Sequence, residues 1–270
     1  MTFQRARTDE QRDQRRRQIL GTAAAMLAEM PVAKLSLNEL SRRVGLAKAN
    51  VLRYFESREA ILLQLLDAEL TQWIAALEDS LPPAEGTPRE RGDRLAKTLA
   101  ESAADRPVLC DLISAQAGVL EHNVSTDVAV QHKHATLRCA EALAHLIRRH
   151  LPELGTQDAF RLVGLLTLTI AAAWPYHQPP QALLDAYAAD PALAGLRADF
   201  TDVVRQSIEI NLTGLLTRAE NTPLGANPLG VDTVQGSPHL EASSRTHCPT
   251  RPSVTGNPGI SPVPCRQTIV

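Results

Sequence analysis

The stretch between Ser36 and Arg58 carries side chains whose chemistry suits the surface of duplex DNA. Lys48 supplies a cation, Tyr54 a hydroxyl for a phosphate, and Asn50 the paired donor and acceptor that read adenine N6 and N7. Ser36 and Arg58 are predicted at helix N-termini, where free amides and the helix dipole favour phosphate. The alternative for each of them is a solvated surface side chain without a partner.

A helix-turn-helix pattern would position these side chains. Ser36 and Glu39 have the spacing of a capping box at the start of a short helix, and Gly45 lies where the left-handed residue after a helix belongs. A second short helix is predicted over about 47–55, and Ser57 is a candidate N-cap for a long helix that follows. The second helix of such a unit can enter the DNA major groove.

Apolar spacings of three and four residues predict helices through the rest of the chain. The first begins at Arg12 and ends before Pro31, and Thr87 caps a helix after a proline-rich linker. Asn123 or Ser125, and then Thr156, are the candidate caps further on. No alternating strand pattern occurs in residues 1–218, so an all-α fold is predicted. The later helices are predicted at about 107–121, 125–150, 156–174, 180–188 and 196–217.

The string Leu35–Ile61, LSLNELSRRVGLAKANVLRYFESREAI, resembles the DNA-binding domain of the TetR/AcrR family of transcriptional regulators. The matching features are a capped second helix, Gly45 in the turn, Lys48 opening the recognition helix, and the pair Tyr54-Phe55 closing it. The SREAI segment also resembles the start of the family's fourth helix. The resemblance implies a three-helix reading domain followed by a helical domain.

The resemblance also implies which residues face the DNA. Two positions depart from the family pattern, because Ala47 replaces a frequent hydroxyl residue and Leu52 replaces a common aromatic residue. Leu52 therefore either touches a thymine methyl group or packs in the core, and Arg53 either contacts DNA or is solvated. The DNA-binding residues that the resemblance implies are Ser36, Lys48, Ala49, Asn50, Leu52, Arg53, Tyr54 and Arg58.

The helical body is implied by the resemblance to mediate dimerisation and the sensing of a small molecule. Buried apolar side chains with a few polar groups would line such a pocket, which favours an apolar organic effector. Each candidate also fits an ordinary place in the core or at its rim. The candidate ligand-binding residues are Cys110, His122, Asn123, Leu166, Ile170, Trp174, Tyr176 and His177.

Charge and composition divide the chain into segments. Residues 1–60 hold 12 Lys/Arg against 7 Asp/Glu, whereas residues 61–218 hold 13 against 20. Because residues 1–60 are basic and residues 61–218 are acidic, we predict that a polyanionic partner binds the first segment only. We predict a flexible basic arm at 1–11, a helix-turn-helix domain at 12–60 and a regulatory and dimerisation domain at 61–218. The segment 219–270 contains eight Pro and five Gly, and this composition predicts a disordered tail.

Several classes of function are excluded by missing motifs. The pairs His132/His134 and His145/His150 lack a convincing third ligand, so neither a metal nor another cofactor is expected. The sequence contains no nucleophile elbow, phosphate loop, HExxH motif or Cys/His dyad, so an enzyme is not expected.

Location follows from the cysteines and the apolar runs. The four cysteines form no CxxC pair, and the N-terminus lacks the apolar stretch of a secretory signal, which indicates a reducing cytoplasm. The longest apolar run, Leu162–Trp174, is shorter than the roughly 20 residues that span a bilayer, so we predict a buried helix and no membrane.

The predicted function is a ligand-responsive repressor that binds a palindromic operator as a homodimer. The helices at 156–174 and 196–217 would form the seam between the two copies as a four-helix bundle. The alternative is a non-enzymatic helical interaction protein that binds DNA or protein nonspecifically.

Overall fold

The front of the chain folds into three helices, which we call the head, and a long fourth helix leads away from them. The computed structural model describes residues 2–221, with side chains for 10–218. Ile19, Leu40, Val51 and Phe55 are buried at the centre of the head, because each lies on the inward face of its segment. Helices α1, α2, α3 and α4 span Thr2–Glu29, Leu37–Val44, Lys48–Val51 and Arg58–Ser80.

Local capping defines the helix-turn-helix. The Ser36 hydroxyl accepts from the Glu39 amide at 3.2 Å, and Gly45 ends α2 with a φ of 74°, a left-handed conformation that suits glycine. Ser57 caps α4 by accepting from the Ala60 amide at 3.0 Å. These three predicted signals are confirmed.

Two details of the head differ from the sequence prediction. The Glu39 carboxylate pairs with arginines instead of returning to the Ser36 amide, so only one half of the predicted capping box forms. Helix α3 ends at Val51, and tighter backbone bonds from the amides of Arg53 and Tyr54 to the carbonyl oxygens of Asn50 and Val51 continue the turn. The tightening is of the 3₁₀ type that often ends an α-helix.

Helix α1 begins at Thr2, ten residues before the predicted start at Arg12. Its first turns are polar and lack an apolar stripe, so periodicity could not detect them. They contain neither glycine nor proline before Gly21, and Gln, Arg, Glu and Ala are good helix formers. The basic segment predicted as a flexible arm is therefore a continuation of α1.

Six further helices form the body. The long helix α8 packs against α6, α7 and α10, and α10 also packs against α5, so α8 and α10 organise the core. No strand occurs among residues 2–221, and the all-α prediction is confirmed. The helices α5 to α10 span Pro88–Ala104, Pro107–Ala115, Thr126–His150, Thr156–His177, Gln181–Ala189 and Phe200–Asn221.

The body helices begin at caps that the sequence predicted in two of three cases. Thr87 and Glu90 form a complete capping box at α5, and Ser125 rather than Asn123 caps α7. The cap of α8 is Gly155, so the prediction of Thr156 is wrong by one residue. A π-helical turn, Gln116–Leu120, extends α6.

Among residues 2–221, two helices are long and apolar enough to cross a membrane by length and composition alone, Arg58–Ser80 and Thr156–His177. The run Leu162–Trp174 is part of the second one. Leu162, Leu166 and Ile170 on that helix are 1–2% exposed, which is the packing of a core helix. Core helices pass the same test of length and composition.

Helix α10 continues to Asn221, past the predicted end at residue 217. The disorder predicted for the remainder, 222–270, lies outside the described residues.

Candidate nucleic-acid interface

The outward edge of the second short helix presents most of the predicted DNA-facing residues together. Lys48, Ala49, Asn50 and Arg53 are exposed, whereas Val51 is fully buried beneath them. No side-chain partner of Lys48, Asn50 or Arg53 occurs in the described part of the chain. The side chains along this edge are therefore free to contact a ligand without breaking an interaction within the described part of the protein.

Leu52 belongs to the same edge. Its side chain is 40% exposed, which excludes the alternative that it packs in the core. An outward apolar side chain beside Asn50 suits contact with a thymine methyl group.

A single arginine of α1 fixes the end of this edge. The Arg16 guanidinium lies over the Phe55 ring at 4.3 Å and donates to the carbonyl oxygen of Tyr54 and, at 2.9 Å, to Gln64 Oε1. Tyr54 is half-buried as a result. The contacts of Arg16 join α1, the turn that follows α3, and α4, and thereby fix the position of the exposed residues of this segment.

A polar groove of about 650 Å³ separates α1 from the end of α3. The sequence prediction placed Gln11 in the flexible arm and the other α1 residues of the groove in a helix beginning at Arg12, and it assigned none of them a contact with DNA. The signal was their spacing of three and four residues, which puts them on one face of a helix. The groove is lined by Gln11, Arg12, Gln14, Arg15, Gln18, Arg53 and Tyr54.

The two arginines of α2 are engaged in ion pairs. Arg42 and Arg43 both bind Glu39, and Arg43 Nη1 also binds Glu29 Oε2 of α1 at 2.6 Å. The hydrogen bonds from Arg42 and Arg43 lower the pKa of Glu39 to about 2. Ser36 is exposed at the start of this helix, but its hydroxyl already accepts from an amide.

The structure places Arg58 differently from the sequence prediction. Its Nη1 donates to the Leu35 carbonyl oxygen at 3.0 Å, and its Nε and Nη2 bind Glu59 Oε1 at 3.0 and 2.9 Å. Both side chains are largely shielded, at 21% and 12% exposed. Arg58 thus joins the start of α4 to the segment before α2, and its side chain is not directed at a phosphate.

Replacing Arg58 with alanine should lower stability and leave the salt dependence of DNA binding unchanged. The change leaves the Leu35 carbonyl and the Glu59 carboxylate without their donor, at a cost of about 1–3 kcal/mol. Thermal melting and DNA titrations at several salt concentrations measure the two effects. Arg58→Lys is the control, since it keeps the charge but loses the forked geometry. If Arg58→Ala instead reduced the slope of log K against log salt by about one unit per subunit and left the melting temperature unchanged, Arg58 would be a phosphate contact after all.

The eight predicted ligand-binding residues do not converge on one cavity. Cys110 on α6 and Leu166, Ile170 and Trp174 on α8 are buried in the continuous core, at 0–4% exposed. By contrast, the remaining polar candidates are exposed because they lie in a turn or at a helix end, although the His177 ring contacts the rings of Trp174 and Phe200 with centroids 5.5 and 5.9 Å away. These exposed residues are His122, Asn123, Tyr176 and His177.

The core around Trp174 contains one unmet polar group. The Trp174 ring meets Phe200 of α10 edge to face, with ring centroids 5.1 Å apart. Its Nε1 is buried and finds no acceptor among the side chains and backbone that the structure describes. A buried N–H of this kind is available to a ligand that brings an acceptor.

A buried histidine joins the body to the helix that leads to the head. His132 of α7 is 2% exposed, its Nδ1 lies 2.7 Å from Asp67 Oδ1 of α4, and its Nε2 lies 3.1 Å from Gln116 Nε2. Gln116, in the π-helical turn, also donates to Glu121 Oε1 at 2.7 Å. Because Asp67 can only accept, a proton on Nδ1 of His132 satisfies this hydrogen bond, and Glu121 Oε1 lies 3.8 Å from its Nε2. No cluster of three metal-ligating side chains occurs within the described residues.

Comparison with known proteins covers both parts of the chain. The family model described as "Bacterial regulatory proteins, tetR family" matches residues 19–65, and "Tetracyclin repressor-like, C-terminal domain" matches residues 67–219. The HTH-type transcriptional regulator EthR of Mycobacterium tuberculosis (strain ATCC 25618 / H37Rv) is 36% identical over 78 residues, which are 29% of this chain and 36% of EthR. The chain thus matches about a third of the length of that curated relative.

A solved structure shows the same fold over most of the described chain. It is a possible TetR family transcriptional regulator from Streptomyces coelicolor A3(2), with a TM-score of 0.51 and 22% identity over 75% of this chain and 99% of that chain. The C-terminal family match alone spans more than half of the 270 residues. The helix-turn-helix and the helical body together show that this chain belongs to the TetR family of DNA-binding transcriptional regulators.

Proposed function

We propose that the protein is a ligand-responsive repressor, without catalytic activity, that binds a pseudo-palindromic operator in the cytoplasm as a homodimer. Residues 12–60 would read the DNA, and residues 61–218 would dimerise and sense the effector. A dimer that occupies a site near a promoter blocks polymerase by its bulk. Repression by this route therefore needs no direct contact between the protein and the polymerase.

The observation that carries the proposal is the exposed edge of α3. Lys48 and Asn50 of α3 and Arg53 of the turn that follows it are exposed, whereas Val51 and Phe55 of the same segment are buried. Asn50 has the geometry for adenine, while Lys48 and Arg53 suit guanine or phosphate. One such helix covers only a few base pairs, so a specific site requires a second copy.

A face of the body supplies the surface on which a second copy would pack. Leu168 of α8 and Ile210 of α10 are 68% and 72% exposed, although both are large and apolar. They line one apolar groove together with Gly164 and Gly214, which have open space where a Cβ would stand. Small residues beside exposed apolar ones permit close helix approach, which supports a four-helix seam.

The effector is proposed to be a small apolar organic molecule that enters the α6–α8 core near Trp174. The apolar core and the unmet Nε1–H support a ligand with one hydrogen-bond acceptor. Three hydrogen bonds would pass its effect to the head. His132 holds Asp67 of α4, while Asp111 accepts from the Val32 amide and Glu56 accepts from the Ser125 amide, both at 2.6 Å.

Selection from random-sequence duplexes by the full chain, followed by footprinting, tests the proposal. We expect an inverted repeat whose half-sites lie about 10 base pairs apart or a multiple of that, bound by two chains. Light scattering gives the mass of the free protein and of the complex.

Equal binding to all sequences would support the alternative, a nonspecific interaction protein. A monomer at micromolar concentration would contradict the dimer. Apolar compounds that stabilise the protein without releasing this DNA would contradict the effector role.

A further inference from the structure

We propose that the polar groove between α1 and the end of α3 binds the phosphodiester backbone of the DNA that flanks each half-site. The inference rests on the proposed function and adds a second contact element, α1, to the reading helix. Its ligand is a sugar–phosphate strand of duplex DNA, bound through charge and hydrogen bonds and without sequence preference.

The chemistry of the groove lining selects an anion. Among the residues whose side chains the structure describes, three arginines, three glutamines and one tyrosine line it, and no carboxylate does. Arg15 Nη1 donates to Gln18 Oε1 at 2.6 Å, which leaves its other donors for a ligand. No acceptor for the Arg12 or Arg53 guanidinium occurs within the described residues. Uncompensated guanidinium groups with amide donors beside them match phosphate oxygens.

The position of the groove selects DNA among anions. Arg53 belongs both to the groove lining and to the exposed edge that carries Lys48 and Asn50. A duplex whose bases met that edge would therefore bring its backbone beside the groove. A polar cleft lined by arginines and glutamines also suits a phosphodiester strand better than the apolar effector proposed for the body.

The groove is already formed in the free protein. Arg16, the neighbour of Arg15 in α1, holds the Tyr54 carbonyl and stacks on Phe55, so α1 and α3 keep a fixed separation. The extension of α1 to Thr2 carries the helix past the groove without a break. A preformed site avoids the entropic cost of ordering a flexible arm on the DNA.

The chain contains a matched control for the test. Arg12→Gln and Arg15→Gln each remove one charge from the groove while keeping a helix-forming side chain. Arg17→Gln removes one charge from the same helix, at an exposed position that does not line the groove. All three variants should melt like the unaltered protein, because none of these side chains is buried.

DNA titrations across salt concentrations measure the contact directly. The full chain is titrated with a selected duplex of about 40 base pairs, enough for two half-sites and their flanks. Each groove variant should reduce the slope of log K against log salt by about 0.9 per lost contact per subunit, or roughly 1.8 per dimer. Arg17→Gln should leave the slope unchanged. Trimming the flanks should weaken the unaltered protein more than it weakens either groove variant, because each variant has already lost one of the contacts.

Slopes for Arg12→Gln and Arg15→Gln that equal the slope for Arg17→Gln would overturn the groove assignment. In that case, selection of a specific duplex by the unaltered chain would leave the proposed function standing. Failure to select any sequence would instead count against the proposed function. Weakening of all four proteins by the same factor on trimming would show that the flanks are bound elsewhere.

Discussion

Leu168→Glu should yield a folded monomer that has lost operator binding. Leu168 is 68% exposed in the single chain, so the carboxylate costs the monomer little. In the proposed seam the same carboxylate would be buried without a partner in both copies. The two buried charges would weaken dimerisation by at least about 3 kcal/mol, or raise the dissociation constant at least ~100-fold. Operator affinity falls with it, because each monomer reaches only one half-site.

Leu137→Glu is the matched control for the seam. Leu137 lies on α7 and is 50% exposed, so it offers a similar apolar side chain on a different helix. Light scattering and DNA titration on both variants separate the two faces. If Leu137→Glu gave the monomer and Leu168→Glu the dimer, the interface would lie on α7, and the α8–α10 seam would be wrong.

Trp174→Ala should destabilise the body more than any surface change. Trp174 is 4% exposed and packs edge to face on Phe200, so truncation opens a cavity between α8 and α10. Large aromatic truncations in cores cost about 3–5 kcal/mol. For a chain of this size the melting temperature would fall by roughly 6–20 °C. Thermal unfolding at fixed protein concentration measures the change.

Trp174→Phe distinguishes the contribution of the aromatic ring from that of the indole N–H. Phenylalanine keeps most of the contact with Phe200 and removes an Nε1–H that has no acceptor within the described residues. We expect a cost of about 1 kcal/mol for the lost volume. A loss as large as that of Trp174→Ala would mean that the N–H is bonded in solution. Weaker stabilisation by effectors in Trp174→Phe would support the proposed hydrogen bond to the ligand.

Short-range signals made the head predictable from the sequence. Ser36, Gly45 and Ser57 act on amides or dihedral angles within three residues of themselves, so each could be recognised without knowledge of the fold. Val51 and Phe55 are buried and lie four residues apart, a spacing that places both on one face of a helix without knowledge of the fold.

Long-range contacts explain the predictions that failed. The partner of Arg58 is the Leu35 carbonyl, 23 residues earlier, and no sequence pattern indicates that the two meet. His132 and Asp67 are 65 residues apart and become neighbours only when α4 packs on α7. The predicted polar pocket residues failed similarly, since His122 and Tyr176 lie at segment ends whose direction depends on packing.

The reactivity of the Cys110 thiol reports how often the helical body opens locally. The thiol is fully buried and donates to the Ala103 carbonyl at 3.2 Å, and burial together with the charge of Asp111 raises its pKa to about 12. At neutral pH almost no thiolate forms while the core is closed, and the thiolate is the reactive species. Alkylation of Cys110 must therefore await a local opening of α6. The rate of that reaction therefore measures how often the core around α6 opens locally.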